Sequence, residues 1–278
     1  MVQQLTGESI AAFSNHLIRQ EKSAATVEKY SRDAQAFLNF IQEHPVTKEQ
    51  TLAYKKNLMD KGYAVRSINS MLASLNSLLT FLKREDCKVK QIKQQRQIYC
   101  SEEKELTKGE YLRLLEAAKG RPRLYLLLQT ICSTGIRVSE LAYFTIEAVK
   151  HGEVEISCKG KNRCILIPCK LKKALLAFAK NTGISSGAIF QTRSHRPMNR
   201  CNIWSEMKRL CKRANVAPSK VFPHNLRKLF ARTFYSLEKD IAKLADILGH
   251  SSVNTTRIYI MGTGVEHRRK IERLGLVV

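Results

Sequence analysis

Five side chains between residues 137 and 259 have types and spacings that suit chemistry at a phosphodiester. Arg137 is the first. His224 and Arg227 follow, three residues apart, and His250 stands nine residues before Tyr259. Arginine forks can neutralise the charge on phosphate oxygens, imidazoles can hold or move protons, and a phenol can attack phosphorus. In this order, the five residues could cleave and rejoin a phosphodiester without a metal.

The first of these residues has a neighbour that could orient it. A Ser-Thr-Gly breaker ends two residues before Arg137, so we expect the arginine at the mouth of the next helix. Glu140 is three residues further on, on the same helical face, and could hold the guanidinium. A surface helix with an exposed ion pair would have the same spacing, so the motif alone leaves both interpretations open.

The His-Asn-Leu-Arg motif stands at a second predicted helix start. Pro223 favours the first helical position, which would place His224 and Arg227 together on the first turn. The free backbone N–H groups and the positive end of the helix dipole make that turn a good place for a phosphate. A lone His-x-x-Arg pair is common, and its meaning depends on the other motifs.

The Leu-Gly-His motif and the tyrosine belong to the last predicted helices. Gly249 can adopt the left-handed cap conformation that ends a helix just before His250. A new helix from about Ser252 carries Tyr259 on its third turn. By itself such a tyrosine would be an amphipathic core or surface residue.

The elements that must position these residues are predicted to be mainly helical. In the first 90 residues, apolar residues recur at three- and four-residue steps in Thr26–Ile41 and Ser67–Lys83, and further helices are predicted near Glu8–Arg19 and Lys48–Met59. The periodicity is lost in a polar linker, which we place at 91–104. A capping box of Thr107 and Glu110 then opens the second domain, residues 105–278, whose tail is 262–278.

The second domain is predicted to contain one small antiparallel sheet among helices. Glu153–Cys158 alternates polar and apolar residues, residues 159–163 form a turn, and Cys164–Ile167 returns. Further helices are expected at 124–132, 171–180, 202–214, 225–235, 241–248 and 252–260. The fold class is therefore mainly α (α+β), a four-helix domain followed by a helical domain with a hairpin.

The charge of the chain is concentrated in this second domain. Residues 1–90 hold 13 Lys/Arg and 9 Asp/Glu, a net charge of +4, whereas residues 91–278 hold 35 and 15, a net charge of +20. A field this basic attracts polyanions, since each phosphate contact releases condensed counterions. Nucleic acid is the expected partner, and a solvated basic surface is the alternative.

Composition limits the other classes of function. The eight cysteines form no Cys-x-x-Cys pair, so we expect reduced structural thiols and no zinc site. No acidic cluster suited to Mg²⁺ is evident, and no metal or other cofactor is predicted. No apolar run reaches the roughly 18 residues of a membrane span, and no secretory signal is recognised, so a cytoplasmic protein is expected.

Taken together, the motifs resemble those of the tyrosine recombinases, the phage-integrase superfamily. The resemblance covers the whole chain and rests on Thr134–Glu140, a hairpin lysine, His224–Arg227, Leu248–His250 and Tyr259. It implies that the first domain is a core-binding domain and the second a catalytic domain. With about 20 residues ahead of the second helix, a simple Xer-like or mobile-element enzyme without an arm-binding domain is expected.

The resemblance also implies a role for each residue. Arg137 and Arg227 would clamp the scissile phosphate, and His224 and His250 would hydrogen-bond it and assist proton transfer. Tyr259 would become a 3′-phosphotyrosyl link. The hairpin lysine would protonate the departing 5′-oxygen. The tip fits Lys159 best because Gly160 follows it, and Lys161 is the second candidate.

The implied function is site-specific recombination of DNA, for integration and excision of a mobile element or for Xer-like resolution. Its partners would be a double-stranded recombination site, three further copies in a tetramer joined through the C-terminal tail, and possible accessory DNA-bending or directionality proteins. A type IB topoisomerase and a non-catalytic DNA-binding protein are the alternatives. A chain of this size without an evident clamp insertion disfavours the first, and the full set of reactive residue types disfavours the second.

Overall fold

The computed structural model describes residues 5–42, 44–94, 101–158, 161–262 and 264–276. The chain divides into two compact units, Met1–Arg96 and Gln97–Val278, and each has its own hydrophobic core. Within the described ranges, no helix combines the length and the apolar character needed to cross a bilayer.

Among its described residues, the first unit contains four α-helices, as predicted. They are α1 (Gly7–Arg19), α2 (Ala24–Ile41), α3 (Lys48–Asp60) and α4 (Val65–Phe81). Side chains of Ser23 and Thr47 accept hydrogen bonds from backbone N–H groups at the starts of α2 and α3, which satisfies donors that have no partner within a helix. The apolar stripe of α4 is buried, including Leu72, Leu75 and Leu78, so its periodicity correctly identified the core.

The chain that leaves α4 stays bonded to this unit. The side-chain amide of Asn76 both donates to the carbonyl of Val89 (2.9 Å) and accepts from its N–H (3.0 Å). Asn69 makes the same two bonds to Ile92, at 2.9 and 2.8 Å. Residues 91–94 of the predicted linker are therefore held along α4, while residues 95–100 lie outside the described residues.

The second unit contains ten α-helices in its described part and one hairpin. They are α5 (Lys108–Ala118), α6 (Pro122–Thr134), α7 (Ile146–His151), β1 (Glu153–Cys158), β2 (Lys161–Leu166), α8 (Cys169–Asn181), α9 (Arg200–Lys208), α10 (Cys211–Ala214), α11 (Pro223–Glu238), α12 (Ile241–Leu248), α13 (Val253–Ile260) and α14 (Gly264–Glu272). The predicted capping box of Thr107 and Glu110 opens α5. Helix α6 is buried on most sides and packs against α11, so it places the residues that follow it beside the start of α11.

The second strand of the hairpin begins earlier than predicted. β1 and β2 pair antiparallel from Glu153↔Leu166 to Cys158↔Lys161, so the second strand begins three residues before the predicted Cys164. Pairing continues because Arg163 lies opposite Ile156 in the ladder and is not part of the turn. Lys159 and Gly160, which stand between the two strands in the sequence, lie outside the described residues.

Two helix predictions are also corrected. The predicted helix 202–214 is two helices, α9 and α10, because Leu210 turns into the core between them and Arg113 binds the carbonyls of Ala214 and Asn215 at the end of α10. The segment after Arg137 is a 3₁₀ helix, Val138–Tyr143, and not an α-helix. The main fold class, helical with one small antiparallel sheet, is confirmed.

Candidate active site

Arg137 begins the 3₁₀ helix and is held there by Glu140. Gly135, in the left-handed conformation at φ 65°, ends α6 and turns the chain. The backbone N–H of Arg137 donates to Oε2 of Glu140 at 2.7 Å, and its Nη1 donates to Oε1 at 2.9 Å. The carboxylate is buried, whereas 45 % of the arginine side chain is exposed. The guanidinium is therefore held in place by Glu140 and keeps a face that is accessible to solvent.

Arg227 is the buried partner of this arginine. It is the fifth residue of α11 and is 1 % exposed. Its Nη1 donates to the carbonyl of Gly135 (2.5 Å), and its Nη2 donates to the carbonyl of Leu248 (2.7 Å). Burial, and then the charge of Arg137, lower the pKa of Arg227 to about 10, so the side chain is cationic at neutral pH. Its Nε has no acceptor among the described residues.

His250 is fixed in one tautomer by its two partners. Its Nε2 lies 3.0 Å from Nη2 of Arg227, which can only donate, so Nε2 accepts. The proton is then on Nδ1, which donates to the hydroxyl of Thr256 at 2.9 Å. Burial, and next the cations led by Arg227, lower the pKa of His250 to about 4. The imidazole is therefore neutral at physiological pH.

Tyr259 lies within the same cluster of side chains. It is buried on α13, and its ring is 4.8 Å from the ring of His250 and 4.9 Å from that of His224, measured between centroids. The guanidinium carbon of Arg227 lies 5.8 Å from the centre of the tyrosine ring. The phenol oxygen is 3.4 Å from Nδ1 of His224. The tyrosine, both histidines and an arginine thus meet in one chain.

His224 stands at the outer edge of this cluster. It is the second residue of α11, directly after Pro223, as predicted. The residue as a whole is exposed, while its ring is partly desolvated against Tyr259. That burial lowers the pKa of His224, and the cations Lys228 and Arg227 lower it in the same direction. The ring is therefore neutral at pH 7 and able to accept a proton.

The turn between α12 and α13 links the arginines. Gly249 has φ 62°, the left-handed cap conformation that was predicted. The carbonyl of Leu248 accepts from Arg227, and the carbonyl of Gly249 accepts from Nη2 of Arg137 at 3.0 Å. Two neighbouring peptide oxygens therefore set the separation of the two predicted phosphate-binding cations.

The sequence profiles of two protein families match the chain. That of the phage integrase family matches residues 104–263, and that of the phage integrase N-terminal SAM-like domain matches residues 10–86. The chain belongs to the phage integrase family. The resemblance drawn from its motifs is confirmed, and its activity is the site-specific DNA recombination of the tyrosine recombinases.

Relatives of this integrase-family chain align with nearly its whole length. Tyrosine recombinase XerA of Pyrococcus furiosus is 28 % identical over 285 residues, which cover 98 % of this chain and 96 % of the relative. The crystal structure of a lambda integrase (75–356) dimer bound to a COC′ core site matches the fold with a TM-score of 0.75. That alignment covers 94 % of this chain and 97 % of the other at 18 % identity.

A further lambda integrase structure, a tetramer bound to a Holliday junction, matches with a TM-score of 0.74 at 18 % identity. The alignment covers 93 % of this chain and 77 % of that chain. At these identities the structural matches establish the fold of the integrase-family chain.

Two residues that the motifs did not indicate are bonded to this cluster of side chains. Arg163 donates to Glu140 and to the carbonyl of Leu248, and Thr256 accepts from His250. Alternation in the hairpin placed Arg163 in the turn, and nothing in the local pattern marks Thr256 as buried. Of the predicted hairpin lysines, Lys159 lies outside the described residues, and only the backbone of Lys161 is described, at the start of β2.

Proposed function

We propose that Tyr259 is the nucleophile with which this recombinase cleaves a DNA strand. The phenol oxygen attacks the scissile phosphorus, the bond to the 5′-oxygen breaks, and the strand end is held as a 3′-phosphotyrosyl ester. The ester conserves the energy of the phosphodiester, so a second strand end can reverse the step without a nucleotide cofactor. The observation that carries this proposal is the meeting of Tyr259 with His224, His250 and Arg227 in one chain.

The remaining site residues either stabilise the negative charge of the phosphate or transfer protons in this reaction. Arg137 and Arg227 bind the non-bridging oxygens, and their cationic groups stabilise the charge of the transition state. Loss of one such fixed donor typically costs about 100- to 1,000-fold in rate. His224 accepts the phenol proton, and neutral His250, held by Arg227, faces the ring of Tyr259.

We infer that the 5′-oxygen receives its proton from the hairpin lysine, Lys159, with Lys161 as the second candidate. An alkoxide is a poor leaving group, and a positioned acid removes this barrier. Arg163, on the strand that begins with Lys161, contacts Glu140 and the carbonyl of Leu248. This link between the hairpin and the residues that hold the arginines supports the inference.

The test is a search for the covalent intermediate. DNA that the protein protects from nuclease would supply the site, and a nick beside the scissile phosphate would trap the cleaved strand by loss of the short leaving fragment. Wild-type protein should accumulate an adduct that survives denaturation, and Tyr259→Phe should bind the same DNA without forming it. Strand exchange between two sites distinguishes a recombinase from an enzyme that only relaxes supercoils. An adduct formed by the Tyr259→Phe protein would refute the assignment of the nucleophile.

We also propose that four copies assemble on two duplexes through the C-terminal tail. Helix α14 and the residues after it carry exposed apolar side chains, with Ile271 and Leu274 each about 60 % exposed and Leu276 82 % exposed. Apolar side chains at this exposure favour burial against a partner. The lambda integrase tetramer on a Holliday junction supports an assembly of this kind.

Removal of residues 265–278 tests the assembly separately from catalysis. The truncated protein should bind a single site with nearly unchanged affinity and fail to join two sites in a gel-shift assay. Leu276→Asp, which alters a single exposed side chain, should weaken the same step. Normal recombination by both variants would refute a role for the tail.

A further inference from the structure

Arg163 is a nearly buried cation that lies behind the site and has no role in the proposed chemistry. It stands on β2, and 11 % of its side chain is exposed. Its Nη2 donates to Oε2 of Glu140 at 2.6 Å, and its Nη1 donates to the carbonyl of Leu248. A planar guanidinium can make these two bonds at once, to acceptors 23 and 85 residues away in the chain.

Both acceptors also hold a site arginine. The same Oε2 of Glu140 that accepts from Arg163 accepts from the backbone N–H of Arg137 at 2.7 Å. The same carbonyl of Leu248 that accepts from Arg163 accepts from Nη2 of Arg227 at 2.7 Å. Arg163 thus shares one acceptor with each of the two predicted phosphate-binding cations.

The turn that supplies the carbonyl is shaped around this side chain. A Cβ atom added to Gly249 would lie 2.9 Å from both Cδ and Nη1 of Arg163. A side chain at position 249 would therefore displace Arg163, in addition to the strain of the left-handed φ of 62°. The fit shows that Arg163 occupies a built position and is not a surface side chain folded inward.

We propose that Arg163 is a positioning residue that sets the separation and direction of Arg137 and Arg227 through Glu140 and Leu248. This inference rests on the proposed function of those arginines. Without Arg163, the buried carboxylate of Glu140 keeps one cation and can rotate, and the carbonyl of Leu248 keeps one donor. The two guanidinium groups then lose the link that fixes their acceptors relative to each other, and together they match the phosphate less well.

The experiment compares two substrates that differ only in the charge of the scissile group. One is the nicked DNA with an ordinary phosphate, and the other carries a methylphosphonate there, which has no negative charge. Misaligned arginines should matter for the first and hardly at all for the second. The variants are Arg163→Lys, which keeps the charge without the fork, and Arg163→Met. The exposed Arg121→Met serves as the matched control.

We expect both Arg163 variants to form the Tyr259 adduct about 100-fold more slowly on ordinary DNA, the loss that a displacement of about 1 Å can cause. On the methylphosphonate their rates should approach that of the wild type. The ratio of the two rates is taken on one preparation, so it does not depend on the fraction of protein that is folded. Arg121→Met should match the wild type on both substrates.

Three results would overturn the inference. The first is that Arg163→Lys cleaves ordinary DNA at the wild-type rate. The second is an equal loss of cleavage rate on both substrates, which indicates a purely structural role. The third is restoration of the cleavage rate by a 5′-bridging phosphorothiolate, which indicates action through the hairpin lysine. If wild-type protein forms no Tyr259-dependent adduct, the proposed function fails first, and this inference with it. Adduct formation by the wild-type protein therefore distinguishes failure of the proposed function from failure of this inference.

Discussion

The phenol oxygen of Tyr259 lies 3.4 Å from Nδ1 of His224, the atom that would accept its proton. The distance is at the long end of a hydrogen bond, as is common in an active site without substrate. Partial burial of the ring, Lys228 and Arg227 all keep His224 neutral. A neutral imidazole beside a phenol is the arrangement that general-base catalysis needs.

This relationship predicts how the cleavage rate depends on pH. The active form of His224 is the neutral one, and its lowered pKa keeps it neutral below the ordinary value of about 6.5. The rate of adduct formation should therefore stay level as the pH falls to about 6.5 and decline only below it. Single-turnover cleavage of nicked DNA at a series of pH values measures this limb.

Substitution of the base provides the control for that profile. His224→Gln should slow cleavage and remove the acidic limb that belongs to this residue, whereas the exposed His151→Gln should leave both unchanged. An acidic limb centred above pH 6.5 in the wild type, at about 7 or higher, would contradict the lowered pKa of His224.

The local parts of the site could be predicted from the sequence because each has a short-range cause. Pro223 starts α11, and Gly249 ends α12, so the placement of His224 and His250 follows from backbone preferences of neighbouring residues. The apolar stripe of α4 likewise reports burial directly. These features depend on residues within about one helical turn of each other.

The connections between segments could not be predicted in this way. Arg163 bonds to residues 23 and 85 positions away, and no periodicity records such a pairing. The break between α9 and α10 depends on where Leu210 finds the core, which is a property of the assembled fold. Asn69 and Asn76 hold the chain after α4 through tertiary contacts that their polar character alone does not indicate.

Thr256 offers a test of the tautomer of His250. Its hydroxyl accepts from Nδ1 of His250 at 2.9 Å, and the residue is completely buried. Thr256→Val keeps the shape and leaves the Nδ1–H without an acceptor, which should cost about 1–3 kcal/mol of unfolding free energy. Cleavage should slow as well, since the ring is free to turn away from Arg227.

Urea unfolding and single-turnover cleavage measure these two effects. The neighbouring Thr255 is exposed, so Thr255→Val is the matched control and should change neither quantity. If Thr256→Val has the stability and cleavage rate of the wild type, the hydroxyl does not fix the tautomer.

Gly135 is predicted to be intolerant of any side chain. Its φ of 65° is strained for other residues, and a Cβ atom there would lie 2.3 Å from Cδ1 of Phe230. Gly183 has a similar φ of 71° with nothing within 4 Å of the same position. Gly183→Ala should therefore lower the free energy of unfolding by about 1 kcal/mol, the cost of the backbone conformation alone. Gly135→Ala should lose a further 1–3 kcal/mol or so from overpacking.

The two variants together separate strain from collision. Because the carbonyl of Gly135 also accepts from Nη1 of Arg227, Gly135→Ala should reduce cleavage as well as the free energy of unfolding. Gly183→Ala should leave cleavage unchanged. Equal losses of stability in the two variants would show that Phe230 moves aside at no cost.

The hairpin lysines can be assigned by changing the leaving group. If Lys159 is the general acid, Lys159→Ala should slow cleavage of ordinary DNA by about 100- to 10,000-fold. It should spare DNA with a 5′-bridging phosphorothiolate, because a thiolate departs without a proton. The exposed Lys170→Ala on α8 is the control and should cleave both substrates normally.

If Lys161→Ala shows this selective rescue and Lys159→Ala does not, the acid is Lys161. Equal slowing of both substrates by each hairpin variant would mean that neither lysine protonates the leaving oxygen, and the donor would have to be sought elsewhere in the site.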